Sequence, residues 1–331
     1  MVGGYSCLPA LTRGWKVTIV TMATEPRVSI LVPAYNVEHY VQEALDSALA
    51  QEGVAVEVVV IDDGSTDGTA RILDAYAASH PDTIVLVRQD NRGLAGARNT
   101  GLAHARGEFV GLLDADDSWS PHHALRCVEL LDADPSVGVV TTDSYLLEER
   151  EPTDRRYYAD HLGIEFPPAV RQLPTIAERN FVFVGAVVRR ALLRKHGGFD
   201  EALRRAEDYD LWCRLLLAGV RFGYVDEPLG HYRLRSDSLS ANRAAQWEAH
   251  LAVVAKHFDA LVESDALPDA TTSDALARRF SAVGDRRRAA AAFRAAARRT
   301  SRRSLDRRLR LDALALRALV TSPGRAAPDE S

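Results

Sequence analysis

Residues 108–121, EFVGLLDADDSWSP, set an apolar run, Phe109 to Leu113, directly against three carboxylates, Asp114, Asp116 and Asp117. The run does not alternate, and unbroken apolar character marks a strand buried on both faces of a parallel sheet. Open α/β sheets bind their ligands at the C-terminal ends of such strands. Carboxylates gathered there are hard oxygen ligands suited to Mg²⁺ or Mn²⁺, cations that keep several waters and complete their shells with substrate phosphates. The stretch therefore points to an α/β enzyme that handles a diphosphate. Asp-rich turns also cap helices, and Asp117 or Ser118 can serve in that way the helix that starts near Pro121. What stands upstream decides between the two.

Working outward, VSILVP (28–33), VEVVVID (56–62), TIVLVR (83–88) and VGVVTTD (137–143) have the same buried-strand character. Between them, residues 38–50, 66–78, 94–105 and a segment ending at Leu131 have helical spacing. Strands alternating with helices predict βαβ units, a mostly parallel sheet and right-handed crossovers that put helices on both faces. From about 146 to 179 the pattern breaks into polar sequence containing Pro152, Pro167, Pro168 and Pro174, which reads as a long irregular lid or binding loop. Order resumes at 182–188. A helix is expected over 206–219, extended chain over 221–234, and helices over 243–262 and 273–320, the latter folding into hairpins around SAVGD (281–285).

The composition is that of a globular chain: 331 residues, 47% hydrophobic, 26% charged, net charge −5. The 3 cysteines, Cys7, Cys127 and Cys213, are too far apart for a zinc site or a disulfide framework and suit a reducing cytosol. No run approaches the ~20 apolar residues that span a bilayer. Residues 1–26 read as an N-terminal extension, disordered or an over-called start, with ATEPRVSILVP after Met22 resembling a natural beginning. Residues 278–317 hold 14 Arg and 3 Asp, so a basic C-terminal region follows an acidic remainder.

Four strand ends and one helix start carry the polar chemistry. They are PAYN (33–36) with Glu38, DDGSTD (62–67), NRGLAGARN (91–99), DAD (114–116) and Glu207-Asp208. At these residues the chain resembles the family 2 glycosyltransferases, the inverting GT-A-fold enzymes that use nucleotide sugars. VPAYN, VVVIDDGSTDGT, NRGLAGARNTG, LLDADD and GFDE with AEDYDLW match the family pattern in order and spacing across residues 27–240. The resemblance implies a Rossmann-like GT-A domain over 27–240. Residues 27–143 would form its nucleotide-sugar half and 144–240 its acceptor half, followed by a helical Arg/Ala-rich region over 241–331.

The resemblance also implies roles. Tyr35 stacks on the base, approached by the Pro33-Ala34 backbone, and Asp63 accepts a hydrogen bond from the base. Asp62 contacts the ribose or fixes its loop. Asn36, Glu38, Gly64, Ser65 and Ala115 complete the donor set, with Ser65 more a turn former than a ligand. Asp114 faces the ribose or sugar, and Asp116 binds the Mn²⁺ or Mg²⁺ that bridges the diphosphate. Asp208 is the general base, with Glu207 the alternative. Arg98 either faces the diphosphate or pins the loop through a carboxylate. Arg235 stands where the family often has a histidine near the metal, which puts a third protein ligand in doubt.

The expected donor is a nucleotide sugar, most simply a UDP-sugar. The expected acceptor is a glycan, a lipid-linked sugar or a small metabolite. The processive Q-x-x-R-W motif is missing, which argues against polymer synthesis across a membrane. The basic tail is a solvated face, a protein contact or a peripheral attachment to anionic lipid at the inner face of the membrane. It lacks the aromatic pattern of a nucleic-acid binder. A nucleotidylyltransferase would want a Gly-rich basic loop in place of PAYN, and a non-catalytic binding module would not need Asp116 and Asp208. No G-x-G-x-x-G follows the first strand, which excludes an NAD-binding Rossmann enzyme.

Overall fold

The computed structural model describes residues 25–148, 151–183, 185–236, 238, 241–266, 269–299, 311, 314 and 315. The extension expected at the N-terminus lies outside the described residues up to position 24, as does most of the Arg-rich sequence after 299.

The apolar runs form the strands expected of them. Strands β1 (Val28–Ala34), β2 (Val56–Asp62), β3 (Ile84–Arg88) and β4 (Phe109–Leu112) lie parallel in the order β3-β2-β1-β4. Successive side chains serve opposite cores, as the pleat requires. Ile30, Val32, Val58 and Val60 pack under helices α1 (Val41–Leu49), α2 (Thr69–Ser79) and α4 (His123–Ala133). Leu31, Val59 and Ile61 pack under α3 (Gly93–His104). The ends are in register, Ala34 opposite Asp62 and Asp62 opposite Arg88, so the loops that follow leave the sheet side by side. Gly111 of β4 cannot carry a side chain, because a Cβ there would lie 2.5 Å from the ring of Trp119.

Beyond β4 the sheet is mixed. The antiparallel strand β8 (Val187–Arg189) sits between β4 and β6 (Val137–Glu148). β9 (Arg221–Leu234) runs parallel to β6, and the short β5 (Ser118–Trp119) pairs antiparallel with β9. The α/β class is as expected, with parallel pairing among the first four strands and again between β6 and β9. β6 continues past the expected half-boundary at residue 143.

Residues 146–179 are not one irregular loop. They contain the end of β6, strand β7 (Glu151–Arg156), a π-helical turn (Tyr157–Leu162) and α5 (Ala169–Glu178). The prolines misled for separate reasons. Among the described residues β7 pairs with β6 alone, so Pro152, opposite Leu147, sits on an edge strand, where proline is tolerated. Pro168 occupies the position just before α5, where a fixed φ favours entry to a helix. Pro174 is tolerated inside α5 because Gln172 fixes that helix, donating to the Phe222 carbonyl at 2.8 Å and accepting from its N–H at 3.1 Å.

α6 (Arg190–Lys195) and α7 (Glu207–Leu217) follow β8, and α8 (Arg243–Glu263), α9 (Ala270–Ala282) and α10 (Arg286–Arg299) close the described chain. The turn at 283–285 lies where the sequence placed a hairpin. One core runs from α3 through α7, with Trp212 fully buried, into Val254 and Phe258 of α8, Phe280 of α9 and Phe293 of α10. No helix among the described residues is long and apolar enough to cross a membrane.

Candidate active site

The loops after β1 and β2 are laced together. Asn36 takes a left-handed conformation, φ +51°. Its Oδ1 accepts from the Thr66 N–H at 2.8 Å, and its own N–H donates to Ser65 Oγ at 3.2 Å. Asp62 accepts from the Ser65 N–H at 3.0 Å, and Glu38 Oε2 from the Gly68 N–H at 2.7 Å. Gly64, at φ +79°, makes the turn that an L-side chain would strain. Glu38, Asp62, Gly64 and Ser65, expected in the donor set, thus take part in fixing the two loops beside the cleft. Pro33, Ala34, Tyr35, Asn36 and Asp63 line it. Tyr35 is 49% exposed.

Asp63 organises the next loop. Its Oδ1 accepts from Gln89 Nε2 at 2.6 Å and the Arg92 N–H at 2.8 Å, and its Oδ2 from the Gly93 N–H at 2.9 Å. A carboxylate can take about four such bonds, so Oδ2 keeps capacity for a further donor.

Arg98 is the centre of the site. It is 1% exposed and spans two carboxylates from distant parts of the chain: Nη2 donates to Asp114 Oδ1 at 2.7 Å, and Nη1 to Glu207 Oε1 at 2.5 Å. Of the two readings of Arg98, carboxylate pinning is what the side chain does, from the cleft wall. Its burial is outweighed by the charges of Asp114, Glu207 and Asp208, which hold its pKa above the ordinary value.

Glu207 and Asp208 open α7 after Ala206, a non-glycine residue at φ +59°. Such backbone costs of order 1–3 kcal/mol and concentrates at functional sites. It turns the chain so that both acids face the cleft. Glu207 is 3% exposed and held by Arg98. Asp208 is half-buried on the cleft wall, where Asn180 Nδ2 donates to its Oδ2 at 3.0 Å. Burial raises the Asp208 pKa, Arg98 opposes the rise and Asp114 adds to it.

Asp116 faces the cleft with its side chain 24% exposed and accepts from Arg235 Nη1 at 3.0 Å. Asp117 is buried and accepts from the Arg233 N–H at 2.8 Å. Among the described residues no cluster of three or more His, Cys, Asp or Glu forms a metal cage. Asp114 and Asp116, one residue apart and equally exposed, fit a hard cation that brings its remaining ligands as water and substrate phosphate. The whole cleft measures about 1300 Å³, more than a single drug-sized ligand needs.

The Glycosyl transferase family 2 sequence profile matches residues 29–197. The chain belongs to glycosyltransferase family 2. Among its relatives, this glycosyltransferase is 34% identical to the succinoglycan biosynthesis protein ExoO of Rhizobium meliloti over 249 residues, 72% of this chain and 67% of ExoO. It is 32% identical to the chondroitin synthase of Escherichia coli over 240 residues, 72% of this chain and 34% of that larger protein. Its fold is similar to that of the mannosyltransferase PcManGT from Pyrobaculum calidifontis, solved with GDP-Man and Mn²⁺ (TM-score 0.58, 25% identity, 94% of this chain and 90% of that one). It is also similar to that of S. aureus TarS in complex with UDP-GlcNAc (TM-score 0.57, 22% identity, 87% and 83%). The architecture is GT-A.

The structure of this glycosyltransferase adds wall residues that its motifs do not announce. Tyr157 and His161 come from the π-helical turn and Tyr232 from β9, with the Tyr157 and His161 rings stacked 5.3 Å apart. Gln246 and His250 come from α8, so the C-terminal helices help build the cleft. For the first group, the break in pattern at 146–179 is the signal for Tyr157 and His161, while Tyr232 opens the Tyr232-Arg233-Leu234-Arg235 run in which Arg235 stands for the family's histidine. For the second there was none.

Asp210, fully buried on the first turn of α7, ties that helix to α8. It accepts from Lys256 at 2.6 Å and His257 at 2.8 Å, and from Arg214 at 2.9 Å. Although burial opposes it, these donors hold the Asp210 pKa below the ordinary carboxylate range. Neutralising a buried charge with three partners removes pairings that Lys256 and Arg214 keep only in part, Lys256 through Asp200 at 2.7 Å and Arg214 through the His196 and Gly198 carbonyls. Asp210→Asn is expected to lower stability by about 2–4 kcal/mol in a denaturant titration; an unchanged midpoint would show that the node is redundant. Its contribution is present above the unfolded-state pKa near ~4 and is lost as pH falls through the depressed folded value.

Proposed function

We propose that this glycosyltransferase moves a sugar, with inversion, from a nucleotide-diphosphate donor to an acceptor hydroxyl, using Asp208 as general base. The observation that carries this reading is the Arg98 bridge. It holds Asp114, on the donor side of the cleft, and Glu207, beside Asp208, on one fixed guanidinium. Tyr35 offers an exposed ring to the base, and Asp63 Oδ2 retains room for the imide N–H of a uracil, so UDP is the favoured nucleotide. Glu207 is enclosed and engaged, which leaves Asp208 to take the proton of the attacking hydroxyl. Attack from the face opposite the diphosphate inverts the anomeric centre.

Mn²⁺ or Mg²⁺, held through Asp116 with Asp114 beside it, would supply Lewis-acid stabilisation of the departing nucleoside diphosphate. The complexes of PcManGT with GDP-Man and Mn²⁺ and of TarS with UDP-GlcNAc support the nucleotide-sugar class. ExoO and chondroitin synthase, both named for glycan synthesis, support a glycan acceptor, with a lipid-linked sugar or a small metabolite the other acceptors of this reading. Arg287, Arg294 and Arg298 are exposed on α10 and suit peripheral contact with anionic lipid at the cytoplasmic face of a membrane. The domain division we favour keeps 27–240 as the GT-A unit and 241–331 as a helical, Arg/Ala-rich C-terminal region.

A panel of UDP-, GDP-, dTDP- and CMP-sugars, with and without Mn²⁺, tests the donor by thermal shift. Saturation at ~100 times Kd adds about 2.7 kcal/mol of stability, and a UDP-sugar is expected to give the largest shift. Stabilisation by none of them would remove the donor assignment. NMR of the transferred sugar then reads the anomeric outcome.

A further inference from the structure

Two arginines, two residues apart at the end of β9, face the carboxylates that follow β4. Arg233 is 3% exposed and structural: its Nε donates to the Asp116 carbonyl at 2.7 Å, its Nη2 to Glu43 at 2.5 Å and its N–H to Asp117 at 2.8 Å. Arg235 repeats the facing one step further, past the last strand residue, Leu234. Its Nη1 lies 3.0 Å from Asp116 Oδ2, and its guanidinium 4.2 Å from the centroid of the Tyr40 ring. Arg235 lines the same cleft as Asp114 and Asp116.

Asp116 is thus a metal-suited carboxylate already holding a cation. A partly buried carboxylate needs a counter-charge when the cleft is empty. A divalent ion would sit ~2.1 Å from a carboxylate oxygen. On the oxygen that Arg235 holds, it and the guanidinium would repel. A diphosphate entering with the ion offers the displaced guanidinium a matching anion, since the arginine fork fits phosphate oxygens.

We propose that Arg235 competes with the divalent cation for Asp116. It occupies the carboxylate in the nucleotide-free enzyme and, when metal and diphosphate arrive together, moves from Asp116 to the diphosphate. Cation and diphosphate binding are then positively coupled through one side chain, and by linkage the coupling acts in both directions. The inference rests on the nucleotide-sugar reading above.

Mn²⁺ titrations of the full chain, followed by the EPR signal of free Mn²⁺ without nucleotide, test it. Arg235→Ala and Arg235→Gln are each expected to tighten Mn²⁺ binding by about tenfold, the factor that ~1.4 kcal/mol represents, and the gain should vanish when Asp116→Asn is added. Calorimetry at saturating Mn²⁺, where Arg235 is released to the diphosphate, should show UDP binding weakened by the same Arg235 substitutions. Mn²⁺ affinity that is unchanged or lower in both folded variants overturns the competition while UDP binding by the parent leaves the glycosyltransferase reading intact. A parent chain that binds Mn²⁺ but no nucleotide of the panel overturns both.

Discussion

An Asp208→Asn enzyme is expected to bind its donor as the parent does and to lose roughly 10²–10⁴ in kcat, the range that a positioned general base contributes. The substitution keeps volume and leaves Asn180 a carbonyl to bond, so the cleft should hold its shape. The pH profile gives a second readout. Burial raises the Asp208 pKa, with Arg98 opposing and Asp114 assisting. A base works only when deprotonated, so the parent's activity should fall with acid at a pH above the ordinary aspartate value near ~4. In Asp208→Asn that limb should flatten. An asparagine variant with the parent's kcat and acid limb would return the role to Glu207, despite its enclosure by Arg98.

Deleting residues 241–331 is expected to abolish the folded enzyme. α8 alone buries Leu251, Val253, Val254, Phe258 and Leu261 against the α7 side of the core. Each such side chain is worth about 1.5–3 kcal/mol. Their sum rivals the ~5–15 kcal/mol that holds a typical domain together. The truncated chain should be insoluble or bind apolar dyes, and should show no cooperative melt. A truncation that melts sharply and still binds donor would show that the GT-A unit folds alone. In that case the cleft would lack only Gln246 and His250.

The parts of the molecule that could be read from the sequence are those where local chemistry decides. Strands β1 and β2 are buried on both faces, so their apolar runs could hardly be anything else. The DDGSTD loop carries its own turn residues. Register then brings the ends of those strands together without further information. What escaped notice depends on distant partners. Arg98 and Glu207 are 109 positions apart, and nothing local distinguishes an arginine that will grip two acids from one that will meet a phosphate. Glu38 sits in a ligand-like motif and bonds to the neighbouring loop at Gly68, a partner 30 positions away, whereas Ser65 is the turn former that its own loop suggests. β8 is three residues long, and hydrophobic period says which face is buried but not which way a strand runs.

Asp210 lies two residues from Asp208 on the same first turn of α7, and its partners Lys256 and His257 belong to α8. An anchor less than a turn from a reactive group leaves no slack between them. A misplacement of about 1 Å at such a group can cost on the order of 10² in rate. With Asp208 as the proposed base, Lys256 and His257 would answer to catalysis from behind it, through Asp210. Substitutions there should present in kinetics as defects of the base, and the acceptable side chains at 256 and 257 should be restricted by turnover as much as by melting temperature.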